Sequence, residues 1–386
     1  MAIRVNPKLI EELEAYGAQD VSKCYHCGNC SAACPFSKEP YIIPRRAMRS
    51  LQMGLEKKLE SDLQPWLCYY CGECSAQCPR GAEPGETMMS LRRWLTARYD
   101  FTGISRAFYR NWKIELIAII VVAIITGIGF ALWGLNTGDI NVYSGANAFL
   151  PASQVHVFDW ILAGFLLTML LINCGRMWWF TVGRDKDLRL GAGDYLRKAW
   201  LMPYHFITQR RLSQCDEKRP WMLHIVLMLS YLTMLILIMF FLSEMAAGPE
   251  IDWRVHAFGL AATVGLLLTT FLALRGRIKK VDALHRHSHE TDWMFLILLA
   301  VVASTGILQF TLHRTGNDAA ANVAYIVHMM AVVPMLGLEV PFSKWSHMAY
   351  RPLAMYFAEL RAEALPARVP KAELPAVAEP ARSPIA

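Results

Sequence analysis

Eight of the ten cysteines fall between Cys24 and Cys78, in two runs of identical spacing. CYHCGNCSAACP sets Cys24, Cys27, Cys30 and Cys34 before Pro35, and CYYCGECSAQCP sets Cys68, Cys71, Cys74 and Cys78 before Pro79. Both read C-x2-C-x2-C-x3-C-P, in which three closely spaced thiolates can wrap one [4Fe-4S] cubane from a short loop while the fourth comes from elsewhere. In two-cluster proteins the fourth cysteine of each run serves the other cluster. The expected ligand sets are therefore Cys24, Cys27, Cys30 and Cys78 for one cluster, and Cys68, Cys71, Cys74 and Cys34 for the other. Structural zinc is the competing chemistry for C-x2-C pairs, but a third cysteine at the same interval followed by C-P is not the usual zinc spacing. Gly28 and Gly72, each following the second cysteine of its run, suit a tight path around a cluster or a plain turn. Cys174 and Cys215 have no partner at metal spacing and read as inert.

The histidines are the second group able to do redox chemistry, because an imidazole inside an apolar span is costly and signals a ligand or a proton carrier. Six stretches reach the roughly 20 apolar residues a bilayer crossing needs: Ile114 to Leu135, Val155 to Val182, Trp221 to Ala247, Trp253 to Leu274, Trp293 to Leu312 and Asn322 to Phe342. His224 enters the third span early, His256 the fourth and His328 the sixth, while His347 follows the sixth. Axial ligation of haem b needs two imidazoles at matching depth on facing helices. Depth pairs His224 with His347 for an inner haem and His256 with His328 for an outer one. His156 competes for the outer site and His205 for the inner. His156, Asp159 and Arg254 gather at outer span ends, where a quinone or proton-release site and ordinary interfacial solvation are both open readings. Glu339 is the functional candidate near the inner face, and the HRHSH run carrying His285, His287 and His289 reads as a solvated basic turn.

These groups must be held by an assembly that is part soluble and part embedded in lipid. A chain of 386 residues, 54% apolar, with mean hydropathy +0.26, is too apolar for an ordinary soluble protein. Residues 1–105 contain no span-length apolar run and should form a mainly α-helical domain; Pro44 is expected to open one amphipathic helix through Met48, Leu51, Leu55 and Leu59. Residues 106–350 form the six-span unit. Residues 351–386, rich in Pro and Ala beyond Glu359, are expected to be a largely disordered tail. Lys and Arg number nine in residues 183–220 and five between spans four and five, but none in residues 136–154 and 248–252. The positive-inside rule then sets both termini in the cytoplasm. No secretory signal opens the chain, so its thiols are expected in a reducing compartment, where clustered cysteines bind metal. The net charge of +7 is spent on loops flanking spans, which points to an inner-membrane protein and away from a nucleic-acid partner.

The stretch WLCYYCGECSAQCPRGAEPGETMMSLRRWLTARYDFTG, together with the spans, resembles the QmoC family, the membrane subunits of quinone-interacting membrane-bound oxidoreductase complexes. That resemblance implies an all-α chain: a two-cluster ferredoxin domain, similar to the small subunit of heterodisulfide reductases, fused to a cytochrome b-like bundle similar to that of respiratory nitrate reductase. It further implies an oxidoreductase subunit using menaquinone or ubiquinone. The implied partners are two cytoplasmic heterodisulfide-reductase-like flavin and iron-sulfur subunits and, beyond them, adenylylsulfate reductase in dissimilatory sulfur metabolism, including sulfate reduction. In the nitrate reductase cytochrome one helix gives a histidine to each haem, whereas the third span here offers only His224. A heterodisulfide reductase-type subunit serving a thiol-disulfide couple and a haem-free membrane anchor are the rival readings.

Overall fold

The computed structural model describes residues 4–142, 148–215, 217–246, 253–280 and 285–364. The protein is all-α: among the described residues no strand forms, and β-pairing is limited to two isolated bridges. Six helices are long and apolar enough to cross a membrane: Trp112–Thr137, Ala152–Gly183, Arg219–Phe240, Trp253–Lys279, Glu290–Arg314 and Asp318–Phe342, here spans one to six. This is a multi-pass membrane protein. Large apolar side chains such as Ile125, Ile161, Phe258 and Phe271 point outward along the spans, as lipid-facing residues do. Spans three, four, five and six pack in sequence, span one lies on span six, and span two meets both span three and the end of span six.

Two sequence expectations about helix ends are corrected. The helix expected to run on from Pro44 is two, Arg45–Gln52 and Glu56–Glu60, broken at Gly54. Gly54 has φ of +64°, and a Cβ there would stand 2.3 Å from the carbonyl oxygen of Asn6, so the N-terminal segment crosses where only glycine fits. Span three also stops short: it ends at Phe240, and a separate turn, Leu242–Ala246, follows.

The larger correction concerns the C-terminus. Residues 351–364 belong to the helix His347–Ala364, whose Tyr350, Ala354, Met355, Phe357, Ala358 and Leu360 are buried. Their spacing makes one apolar face that continues past Glu359, and Arg361 fixes the end by bonding Asp185 at 2.9 Å. The expected disorder of the remaining tail falls on residues 365–386, outside the described residues.

This helix makes the N-terminal unit and the membrane unit one body. Leu9, Leu13, Trp66, Trp94 and Tyr99 of the N-terminal unit share a core with Tyr350, Met355 and Phe357, and with Met177 and Val182 at the end of span two. Beside that core, a buried ion network spans the junction. Arg93 of the helix Pro84–Tyr99 bonds Glu86 at 3.0 Å and Asp292 of span five at 3.4 Å. Asp292 also meets Lys344 at 2.6 Å and Arg277 at 4.0 Å. A carboxylate removed from water is retained only with such partners.

Candidate redox centres

The two cysteine runs fold alike. His26 and Tyr70, each just before the second cysteine of its run, take left-handed φ of 58° and 56°. Gly28 and Gly72 follow at 97° and 88°. The chain then enters the one-turn helices Asn29–Ala32 and Glu73–Ala76, which carry Cys30 and Cys74. Left-handed backbone is uncommon for residues other than glycine. Its recurrence at matched positions gives both runs the same loop path.

The thiols converge across the two runs. Cys34 of the first run lines a small cavity with Cys68, Cys71 and Cys74 of the second. Cys30 in turn sits among Cys24, Cys27 and Cys78. The crossed sets expected from the spacing are thus the sets brought together. No group of three or more His, Cys, Asp or Glu among the described residues is drawn tightly enough to hold a single metal ion. A cubane offers a separate iron to each of four thiolates, the number each group supplies.

Burial pushes the Cys34 thiol up to about 12 and also raises Cys30, Cys68 and Cys74. Thiolates in such a place need the positive charge of a metal, which deprotonates a coordinating thiol outright. Cys71 is the exception, its thiol lowered by the neighbouring Cys215. Backbone amides also reach the sulfurs: Tyr70 N–H donates to Cys68 Sγ at 3.3 Å and Ala82 N–H to Cys78 Sγ at 3.4 Å.

A cavity of about 710 Å³ extends from Cys71 toward the spans and is lined at its far side by His224 and His347. The two imidazole rings lie edge to face, with centroids 6.4 Å apart and planes at 62°. His347 Nδ1 is tied to the Lys344 carbonyl, and His224 Nδ1 is buried with no partner. Arg351, one turn beyond His347, stacks 3.7 Å from the Tyr69 ring centre and donates to the Cys68 carbonyl at 3.0 Å. His205 lines the same cavity with its Nδ1 unpartnered, and burial with nearby Arg211 lowers its pKa to about 4.

The outer histidines each contact span five. His256 packs its ring against Phe310 at 5.8 Å, and His328 bonds the Thr305 hydroxyl at 2.9 Å. Both partners belong to span five, on which spans four and six each pack. His156 bonds the Met239 carbonyl at 2.8 Å, Asp159 is half-buried on the same helix, and Arg254 stands exposed in the first turn of span four.

Sequence reasoning missed two contributors. Cys215, read as inert, reaches the second nest. The basic turn read as solvated instead docks on that nest: His285 and His287 line the cavity, and the His287 carbonyl accepts from Tyr70 Oη at 3.4 Å. Neither has a local signal, since both arrive through tertiary contacts from loops between spans.

Comparison with known proteins bears on this unit alone. Residues 20–82 match the model of the 4Fe-4S dicluster domain. The N-terminal unit is an iron-sulfur electron-transfer domain. Within it, 64 residues are 31% identical to one subunit of the H(2):CoB-CoM heterodisulfide,ferredoxin reductase of Methanothermobacter thermautotrophicus, and equally to its counterpart in Methanothermobacter marburgensis. The match covers 16% of this chain and 34% of each relative, so the chain spans about a third of the length of the curated relatives it matches. No solved structure matches. The iron-sulfur domain is therefore related to a heterodisulfide reductase subunit.

Proposed function

We propose that this chain is the membrane subunit of a quinone-linked oxidoreductase, relaying electrons between quinone, haem b and two [4Fe-4S] clusters to soluble flavin and iron-sulfur subunits. The observation that carries this reading is the cavity joining the His224 and His347 pair to Cys71. The imidazole separation supports haem there. His224 and His347, whose ring centroids stand 6.4 Å apart on the wall of one cavity, are the residues that would hold it. When bound, haem supplies a one-electron carrier at the membrane level. The Lys344 carbonyl, by engaging His347 Nδ1, fixes that ring and leaves Nε2 for the metal. Cationic side chains on the cavity wall, among them Arg275, Arg277 and Arg351, suit an anionic cofactor edge.

Cys68, Cys71, Cys74 and Cys34 hold the cluster next to this cavity; Cys24, Cys27, Cys30 and Cys78 hold the other, on the more exposed side. Resemblance to the QmoC family supports menaquinone or ubiquinone as the lipid-phase partner and adenylylsulfate reductase as the eventual soluble one, in sulfate reduction or a related sulfur pathway. Loop charges support an inner-membrane setting with both termini cytoplasmic. The same reading extends to a second haem on His256 and His328 and to a quinone or proton site at His156, Asp159 and Arg254.

The relationship to a heterodisulfide reductase favours one other reading, a subunit with the same carriers serving a thiol-disulfide couple. Reduction of the purified complex by quinol, and not by a dithiol, separates the two. The main proposal is tested by a reduced-minus-oxidised optical spectrum: b-type bands are expected in the wild type and lost in His224→Ala and His347→Ala. A wild-type spectrum without such bands, in protein replete with iron and sulfide, would leave only a membrane anchor.

A further inference from the structure

The ion network at the junction of the two units ends at a candidate redox centre on each side. Tyr70, between Cys68 and Cys71 in the second nest, donates from Oη to Glu86 Oε2 at 2.8 Å. Glu86 Oε1 accepts from Arg93 at 3.0 Å, and Arg93 meets Asp292 of span five at 3.4 Å. Asp292 in turn holds Lys344 Nζ at 2.6 Å, and the Lys344 carbonyl engages His347 Nδ1. An unbroken run of contacts therefore leads from the cluster loop to one imidazole of the histidine pair. Its middle is closed to solvent, with Glu86, Arg93 and Asp292 at 3%, 4% and 4% exposure.

This inference rests on the reading that His347 holds haem. The orientation of a ligating imidazole is set by the bond that its other ring nitrogen makes, here the one to the Lys344 carbonyl. Lys344 opens the short turn Lys344–Ser346 that leads into the helix His347–Ala364. A lysine side chain on its flexible stem has no fixed place of its own; the buried carboxylate gives it one. We propose that Asp292 is a positioning residue: by anchoring Lys344 it sets the plane of the His347 ring, and through Arg93 and Glu86 it ties that plane to the seating of the iron-sulfur domain. Seating the cluster domain and fixing the haem ligand are thereby one event.

The test uses the full-length holoprotein and its Lys344→Met, Asp292→Asn, Asp292→Glu and Arg361→Met variants, with haem and iron counted per chain and the low-spin haem signal recorded by electron paramagnetic resonance. That signal reports the relative planes of the two axial imidazoles. Lys344→Met keeps the backbone carbonyl and a long stem, and Asp292→Asn keeps the shape of the carboxylate. Both should shift the signal in the same sense at wild-type haem and iron content, although the charges they remove are opposite in sign. Asp292→Glu, which keeps the charge, should lie nearer the wild type. Arg361 also crosses the junction, reaching the Ser61 carbonyl at 3.3 Å and Asp185 at 2.9 Å, and Arg361→Met should leave the signal where it is. Lys344→Met alone decides where Asp292→Asn does not fold. An unmoved signal in Lys344→Met would overturn the inference, as would an equal shift in Arg361→Met, which would make the effect a general loosening of the junction. A wild-type protein without b-type haem would instead overturn the haem reading itself, so the two failures are told apart.

Discussion

The two cysteine nests share spacing, backbone path and crossed membership, yet they sit in opposite surroundings. Around the first, Cys27 and Tyr25 are exposed, Tyr25 at 69%, and Arg80 covers the Tyr25 ring from 4.3 Å. Around the second, Cys68 and Cys74 are buried, Cys215 adds a fifth thiol, and Arg92 and Arg351 both donate to the Cys68 carbonyl. Identical ligand chemistry in different surroundings is a way to give two clusters different potentials and different neighbours. The second nest faces the cavity and the histidine pair; the first faces outward, where a soluble partner can reach it. The proposed order haem, second cluster, first cluster, partner rests on that asymmetry.

Removing the histidine pair should break the comparison most completely. His224→Ala or His347→Ala is expected to abolish the b-type absorption while leaving both cluster signals intact by electron paramagnetic resonance. Retained haem in both variants would move the membrane carrier elsewhere, with His205 the next ligand to test.

The crossed membership is sharpened by Cys34→Ser and Cys78→Ser. Cys34 stands in the first run, yet its replacement should damage the cluster of the second nest, and Cys78→Ser that of the first. Matching the lost signal to that lost in Cys74→Ser for the second nest and in Cys27→Ser for the first tests the crossing; damage within the same run would refute it.

Next in size is the ion network that seats the iron-sulfur domain on the spans. Asp292→Asn leaves Arg93, Lys344 and Arg277 without their shared carboxylate. Breaking a buried pair from one side costs about 3–5 kcal/mol, which thermal unfolding in detergent should register. An unchanged unfolding temperature would mean the apolar core alone holds the two units together.

The smallest effect is expected at the exposed face. Tyr25→Ala should slow transfer to the soluble partner by roughly tenfold or less, as loss of one aromatic contact worth about 1 kcal/mol does, with haem reduction by quinol unchanged. Equal slowing of both steps would place Tyr25 inside the relay instead of at its outlet.

Much of this arrangement was legible in the sequence because its signals are local. Four cysteines within eleven residues report a nest without reference to the rest of the chain, and hydropathy over a span-length window finds six helices whatever they pack against. The pairing of His224 with His347 was legible from depth alone. What escaped notice depends on tertiary contact. The face Tyr350, Ala354, Phe357 lies under a proline at 352 and beside a proline-rich tail, and composition there outweighed periodicity. The left-handed His26 and Tyr70 carry no glycine to announce them. Cys215 and the His285 to His289 turn are loop residues whose role exists only once spans two, three, four and five have assembled. His256 and His328 each contact span five, through Phe310 and Thr305, neighbours that depth alone does not name.

The most direct measurement of the central claim is the content of iron, acid-labile sulfide and haem per purified chain. Two cubanes require about eight non-haem irons and about eight sulfides, together with haem b at one or more per chain. Zinc in place of iron, with no sulfide released on acidification, would contradict the relay at its root.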